Sequence, residues 1–318
     1  HNGSDMPLPP WWSEGVAEVF SSLSEHDGKI DFGLIPRARK DEFGYFELMP
    51  TSVLFGFDRD SPEFRRVIAQ VVGAANTVAA KARLRGHCFY QLWAHSEEDL
   101  ANQAALGRVV AAAGGAPATG TSPDLLARLD PASREHLLGS IRVLILDRGH
   151  RQLVDLVDGF KKLEGRRDVL LHLHAPARYP VGFYAAALNL DGCLLNRLFG
   201  YVGPYAGFAV DGVGLLAATE EGQFTETLGL LAVQQGRADY ELMHKAAALM
   251  ARAGAGGAEA DELAKVYGEI VTRVRSNPHF SYDAERLCGG PVRPAELESW
   301  RSRLVTAMGE VVRKLETA

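Results

Sequence analysis

The sequence has few cysteines and no concentration of charge. Its 318 residues include only Cys88, Cys193 and Cys288, which lie far apart and form no CxxC pair. An odd number of scattered cysteines argues against a disulfide framework, so we expect a cytoplasmic protein in a reducing compartment. The 34 basic and 40 acidic residues give a net charge of −6, and the basic residues form no stripe. We therefore expect no nucleic-acid partner.

Long apolar runs and a secretory signal are also absent from the sequence, which predicts no membrane partner. The opening HNGSD, residues 1–5, resembles an expression remnant, so we expect no functional residue in it. No low-complexity linker divides residues 6–318, and 47% of the chain is apolar. These features predict one globular domain over residues 6–318.

Helical periodicity dominates what is present. Ser61-Pro62-Glu63 places a capping serine before a proline at the first helical position, and predicts a helix that continues past Trp93. Minor β or irregular structure is expected within residues 29–58 and 166–215. The fold class is therefore mostly α. Further helices are predicted for 96–113, for 130–160 with a break near Gly149, and for 239–253, 258–275 and 294–318.

His172 and His174 form an H-x-H pair in the apparent strand DVLLHLH. Alternate residues of a strand share one face, so both imidazoles could reach one metal ion. Such a site needs at least a third ligand, and no nearby residue is conspicuous in that role. A metal-binding protein is therefore one alternative function.

Two other histidines have distinctive neighbours. In the segment RGHCFYQLW, residues 85–93, helical spacing would place His87 on one face with Arg83 and Tyr90. On the helix that includes residue 239, small alanines follow His244 on its own face. Small side chains would let a flat porphyrin approach a histidine that ligates its iron. A packed core histidine in an alanine-rich helix is the alternative.

The segment His87-Cys-Phe-Tyr-Gln-Leu-Trp93 resembles the signature of the histidine-ligated heme-dependent aromatic oxygenases, the superfamily of tryptophan 2,3-dioxygenase. In that superfamily a distal histidine precedes a Tyr-x-Leu-Trp run on a helix. The stretch from His244 to Arg252, followed by Gly254-Ala-Gly-Gly257, is similar to the proximal-histidine helix and its glycine-rich turn. The resemblance implies a single-domain helical heme-binding fold of the tryptophan 2,3-dioxygenase type.

Within that superfamily, the PPWWSEG segment at residues 9–15 and the altered turn after His244 are most like the bacterial heme-dependent L-tyrosine hydroxylases. This likeness implies an oxidoreductase that uses hydrogen peroxide to hydroxylate L-tyrosine to L-DOPA in antibiotic biosynthesis. Dioxygen is the alternative oxidant, and a tryptophan or indole oxygenase is the alternative enzyme. A non-catalytic heme-binding protein is a further alternative. Symmetric assembly in the superfamily is compatible with a homodimer.

The resemblance also implies roles for particular residues. His244 would ligate the iron, and His87 on the opposite side would exchange protons with peroxide or substrate. The H-x-x-x-C motif that attaches heme in a related branch is incomplete before Cys288, since Ala284 replaces its histidine, so the implied cofactor is non-covalent heme b. The remaining implied contacts are Arg83 and Tyr90 with substrate, and Ala247 and Ala248 with heme.

Overall fold

The computed structural model describes most of the chain from Ser61 onward and three short segments before it. The described residues are 45–47, 53–54, 57–58, 61–81, 89–147, 152–165, 167–173, 176–195, 216–218, 224–254, 257–280 and 290–317. The expected expression remnant at residues 1–5 lies outside these ranges, and so does the PPWWSEG segment.

The helices account for most of the described residues, which confirms the mostly α prediction. None of these helices is long and apolar enough to cross a membrane. A π-helical turn, Pro180–Tyr184, leads directly into the short helix α6. The helices are α1 (Pro62–Lys81), α2 (Glu97–Ala112), α3 (Pro123–Arg128), α4 (Pro131–Ser140), α5 (Leu153–Lys161), α6 (Ala185–Ala187), α7 (Leu228–Ala253), α8 (Ala258–Ser276) and α9 (Pro294–Thr317).

A parallel sheet accompanies the helices. Its strands are hydrogen-bonded in the order β1-β4-β5-β6-β7-β8, and the β1–β4, β4–β5 and β7–β8 pairs are parallel. Two separate pairs, β2–β3 and β9–β10, are antiparallel. The strands are β1 (Tyr45–Glu47), β2 (Val53–Leu54), β3 (Phe57–Asp58), β4 (Phe89–Trp93), β5 (Ala116–Thr121), β6 (Val143–Leu146), β7 (Asp168–Leu173), β8 (Gly192–Leu195), β9 (Leu216–Ala218) and β10 (Phe224–Glu226).

Local capping signals place the starts of α1 and α2 correctly, whereas α7 begins at Leu228 and not at residue 239 as predicted. The Ser61 hydroxyl accepts a hydrogen bond from the Phe64 backbone N–H at 3.1 Å, as expected for the cap of α1. Ser96 and Asp99 form a reciprocal capping box at the start of α2. At the far end of α7, Gly254 has a φ of 68°, a conformation in which glycine is favoured. These helix starts and this helix end are confirmed.

The helix predicted to run from residue 62 past Trp93 is wrong. Helix α1 ends at Lys81, and Phe89–Trp93 forms β4. Strand β4 pairs in parallel with β1 on one side and with β5 on the other. Its sequence, FYQLW, is rich in aromatic residues, which favour strands, and its backbone is paired by sheet hydrogen bonds rather than within a helix.

The continuous helical pattern predicted over 130–160 is also corrected. Asp130 caps α4 as expected, but the helix ends at Ser140 and Val143–Leu146 forms the fully buried strand β6. A parallel strand that is covered on both faces reads as a plain apolar run, so its sequence resembles a buried helix segment. Strand β5, APATGT, lies between the predicted helices and was not predicted at all.

Two compact units can be distinguished within the chain. Unit 1 comprises His1–Gly120 and Leu129–Val143, and unit 2 comprises Thr121–Arg128 and Leu144–Ala318. In unit 1, Phe64, Ile68 and Val72 of α1 pack with Val110 of α2 in a buried apolar cluster. In unit 2, α9 packs against both α7 and α8, and α7 packs against the π-helical turn. The prediction of a single domain over residues 6–318 stays a prediction.

Helix α7 approaches the π-helical turn closely through two glycines. A Cβ atom at Gly236 would lie 2.6 Å from the Arg178 carbonyl oxygen and 2.9 Å from Val181 Cβ. A Cβ atom at Gly182 would lie 2.9 Å from the Gly236 carbonyl oxygen. Neither position can hold a side chain unless the two backbones move apart. The absence of side chains at Gly182 and Gly236 therefore sets the separation of these elements.

We expect Gly236→Ala to destabilise the protein, because the added methyl group would collide with backbone. The expected loss of unfolding free energy is about 1–3 kcal/mol, as for other overpacked sites. Gly268→Ala in α8 is the matched control, since a Cβ there meets nothing within 4 Å. That control should be neutral or gain up to about 1 kcal/mol from helix propensity. Urea unfolding measures both, and equal effects would contradict the close approach.

The stability contributed by the Asp130 cap should depend on pH. Its Oδ1 accepts a hydrogen bond from the Ser133 N–H at 3.0 Å, and the hydrogen bonds with Ser133 lower the pKa of Asp130 below its ordinary 3.8. The contribution is therefore present above pH 3.8 and is lost as the pH falls through the folded-state pKa. Asp130→Ala should lower the thermal midpoint at pH 7, with a deficit that shrinks in acid. Asp130→Asn retains a cap that does not titrate and should show less of this pH dependence.

Candidate functional site

The residues predicted to form a heme pocket are only partly described. His87 and Arg83 lie outside the described residues, as does Cys288. The backbone of Tyr90 lies in β4, where it is in register with Phe46 of β1 and Pro117 of β5. The predicted roles of His87, Arg83 and Tyr90 are not tested by these positions.

His244 lies on an exposed face of α7. Its ring contacts the Tyr240 ring, with centroids 4.3 Å apart and planes inclined by 54°. The Tyr240 hydroxyl donates a hydrogen bond to the Leu190 carbonyl oxygen at 2.9 Å. Ala247 is half-buried and Ala248 is exposed. The contacts described around His244 do not test heme binding. The predicted heme contacts of His244, Ala247 and Ala248 therefore stay predictions.

Among the described residues, no group of three or more histidine, cysteine, aspartate or glutamate side chains is placed to hold a metal ion. His172 is described and His174 is not. The strand predicted for DVLLHLH is confirmed over its described part, β7 (Asp168–Leu173). The predicted pairing of His172 with His174 on one metal ion lies partly outside the described residues and stays a prediction.

The direction of the His172 side chain follows from the register of β7 with β8. Leu171 pairs with Cys193, and His172 pairs with Leu194. The Cys193 thiol donates to the Pro180 carbonyl oxygen at 3.9 Å, so it lies on the sheet face that packs against the π-helical turn. Since paired residues share a face and neighbours along a strand alternate, His172 lies on the opposite face. There it is only 4% exposed.

His172 also lies at the carboxyl end of its strand, one residue before the last residue of β7. Asp147 directly follows the last residue of β6, which is the neighbour of β7 in the sheet. Asp147 is half-buried, as is Leu194 beside His172. In open α/β sheets and in β/α barrels, ligands bind at the carboxyl ends of the parallel strands. This edge is the candidate functional site, with an imidazole near the end of β7 and a carboxylate directly after β6.

A second polar cluster in unit 2 is centred on a fully buried carboxylate. Asp239 of α7 accepts hydrogen bonds from Arg178 through Nε at 2.6 Å and through Nη2 at 3.2 Å. Arg301 of α9 donates a third hydrogen bond to Asp239 at 3.1 Å. Arg178 also donates to Glu298, which is exposed. The cluster joins α7, α9 and the residues that precede the π-helical turn.

The electrostatics of this cluster indicate a structural role. Burial raises the pKa of Asp239 above its ordinary value, and the hydrogen bonds from Arg178 oppose that shift. For Arg178, desolvation works to lower the pKa, but the hydrogen bonds to Asp239 and Glu298 outweigh it and raise the pKa. Because Asp239 already accepts three hydrogen bonds, we regard it as a charged structural anchor. Its sequence signal is a carboxylate on the buried stripe of α7, between Gly236 and Met243.

Comparison with known proteins identifies no family. No family model matches the chain, and no curated protein matches it significantly. Among solved structures, the chain is similar to a family 123 glycoside hydrolase from Clostridium perfringens, studied for glycolipid glycan hydrolysis, with 12% identity and a TM-score of 0.49. The similarity covers 81% of this chain and 46% of that enzyme, so the chain spans about half of its length. A likeness this weak carries no inference about activity.

The assignment to the heme-dependent aromatic oxygenases, and with it the function of L-tyrosine hydroxylase, is wrong. No family model and no curated protein supports it. The structure supplies a physical reason, since the run FYQLW that carried the motif is a strand of a parallel sheet rather than part of a helix. Heme b, the aromatic substrate, the oxidant and the homodimer were implied by that resemblance, and no contact in the structure tests them.

We expect Asp239→Asn to destabilise the protein strongly. Asparagine keeps the size of the side chain, but its amide NH2 group would face an arginine N–H, so two donors would meet. The Arg178 guanidinium would also lose the carboxylate that accepts from its Nε. Breaking a buried ion pair in this way costs about 3–5 kcal/mol of unfolding free energy. Glu241→Gln is the matched control on the same helix, because it removes an exposed pair with Arg237 worth roughly 0.2–1 kcal/mol. Similar losses for the two variants in urea unfolding would contradict the anchoring role.

Proposed function

We propose that the chain is an enzyme that binds a small polar molecule at the carboxyl edge of β6 and β7, with His172 as its proton-transfer group. The observation that carries the proposal is the position of His172. It is a buried imidazole on a strand of a parallel sheet, next to the end at which such sheets bind their ligands.

The chemistry of the side chains at this edge suits acid–base catalysis. A histidine has an ordinary pKa of about 6.5, so it can both take up and release a proton near neutral pH. A carboxylate such as Asp147 can orient an imidazole, or it can accept hydrogen bonds from ligand hydroxyl and amine groups. His172 and Asp147 both belong to unit 2, so the proposal depends on one compact unit.

The apolar surroundings of His172 also favour a defined geometry. Its strand neighbours Leu171 and Leu173 are fully buried, and strand β6 is buried along its whole length. A side chain held by a buried strand has little freedom to move, and this preorganisation is what proton transfer requires.

The cytoplasmic location expected from the cysteine pattern stays a prediction.

The proposal predicts ligands whose binding depends on His172. Sugars, carboxylic acids, amines and nucleosides would be screened as separate classes for an increase in the thermal midpoint. Ligands that raise it should also shift the imidazole Cε1 signal of His172 in NMR spectra of histidine-labelled protein. His172→Gln should weaken their binding at least about tenfold, which corresponds to roughly 1.4 kcal/mol. His136→Gln, at an exposed position on α4, should leave binding unchanged.

Turnover then separates an enzyme from a binding protein. A ligand that is converted should be converted about 100 to 10,000 times more slowly by His172→Gln, the usual contribution of an acid–base group. A ligand that stabilises the protein, leaves the His172 signal unmoved and binds His172→Gln as tightly as the original chain would refute the site. A ligand that depends on His172 but remains unchanged over long incubation would refute the catalytic part alone.

A further inference from the structure

Among the described residues of unit 1, two buried polar side chains have no hydrogen-bond partner. Gln103 of α2 and Thr119 of β5 are both 0% exposed. Neither the two polar atoms of the Gln103 amide nor the Thr119 hydroxyl oxygen is hydrogen-bonded to any residue that the structure describes. Amides and hydroxyls lose their hydrogen bonds to water when they are buried, so buried groups of this kind are nearly always satisfied.

A neighbouring contact shows that Gln103 and Thr119 belong to the same layer. A Cβ atom at Gly107 would lie 3.1 Å from the Ser140 carbonyl oxygen, at the end of α4, and 3.6 Å from Pro117 Cβ, so this part of α2 packs against both α4 and β5. Gln103 lies four residues before Gly107 and shares its helix face. Thr119 lies two residues after Pro117 and shares its strand face. Both side chains therefore point into the space between α2 and β5.

Their positions along the layer also match. Only residues 113–115 connect α2 to β5, so the helix and the strand run in opposite directions. Gln103 lies about 6 Å from Gly107 along the helix axis, at a spacing of four residues. Thr119 lies about 6.6 Å from Pro117 along the strand, at a spacing of two residues and in the same direction. Starting from the contact between Gly107 and Pro117, Gln103 is placed opposite Thr119.

We propose that unit 1 has a built-in site for one ordered water molecule, bound between Gln103 and Thr119. The amide oxygen, the amide N–H and the hydroxyl supply three hydrogen-bonding groups, which is the number that a buried water typically uses. Because both side chains are fully buried, we assign the site to a single water and not to a larger ligand. A Cβ at Gly107, one helical turn away, would already lie 3.1 Å from the Ser140 carbonyl oxygen. The water is thus a structural component that links α2 to β5.

The test is a NOESY or ROESY spectrum of the full-length 15N-labelled chain. The side-chain amide of Gln103, assigned through its loss in Gln103→Leu, should show a cross-peak to water with the sign of a long-lived bound molecule. Thr119→Val should remove or weaken that cross-peak, whereas Thr119→Ser should retain it. Each of Gln103→Leu and Thr119→Val should lower the urea midpoint, and the double variant should lose less than the sum because no polar group remains unsatisfied.

The spectrum of the unaltered chain tests the water site even if a variant fails to fold. Absence of a water cross-peak to an assigned Gln103 amide would overturn it. A high-resolution crystal structure with a direct hydrogen bond between Gln103 and Thr119, and no water between them, would overturn it as well. A water within hydrogen-bond distance of both side chains would confirm it.

Discussion

The packing of α7 in unit 2 depends on the backbone contact between Gly236 and the segment of residues 178–181. Because residue 236 has no side chain, α7 can approach that segment until a Cβ would lie 2.6 Å from the Arg178 carbonyl oxygen. Asp239, almost one helical turn further on, is then within reach of the Arg178 guanidinium and accepts two hydrogen bonds from it. The same carboxylate accepts a hydrogen bond from Arg301, so α9 is positioned by the contact that positions α7.

Burial of the Asp239 carboxylate costs free energy, and the hydrogen bonds from Arg178 and Arg301 compensate for that cost. Taking a carboxylate out of water costs several kcal/mol, and the hydrogen bonds from two arginines offset that cost without a large surplus. Well-packed apolar side chains would give unit 2 comparable stability. They would not select one register, however, because apolar contacts have no preferred direction. The two hydrogen bonds from Arg178 to Asp239 are directional and favour one placement of α7, so we expect the cluster to contribute to the specificity of packing.

The parts of the fold that sequence predicted correctly are those with local signals. Ser96 with Asp99, and Gly254 after α7, act within one helical turn, so their effect can be read without knowing what packs nearby. Strand β6 has no such signal, because its four apolar residues fit a buried helix as well as a buried strand. The helix predicted for the FYQLW run is wrong for the same reason. Its spacing fits a helical period, but its pairing with strands that are distant in sequence decides its conformation.

The candidate site illustrates the same limit. The sequence predicts His172 as half of a metal-binding pair, because the local pattern contains His174 as the one further ligand. The structure adds two facts that no local pattern contains: β7 is parallel to β8, and His172 is buried near the carboxyl end of β7. A histidine on an exposed helix face, such as His244, is surrounded mainly by solvent and by its own helix. His172 is instead enclosed beside the edge where parallel strands end together, so a ligand there could be contacted by several strands at once. Convergence of side chains from separate strands is what a catalytic site requires, and this makes His172 the stronger candidate.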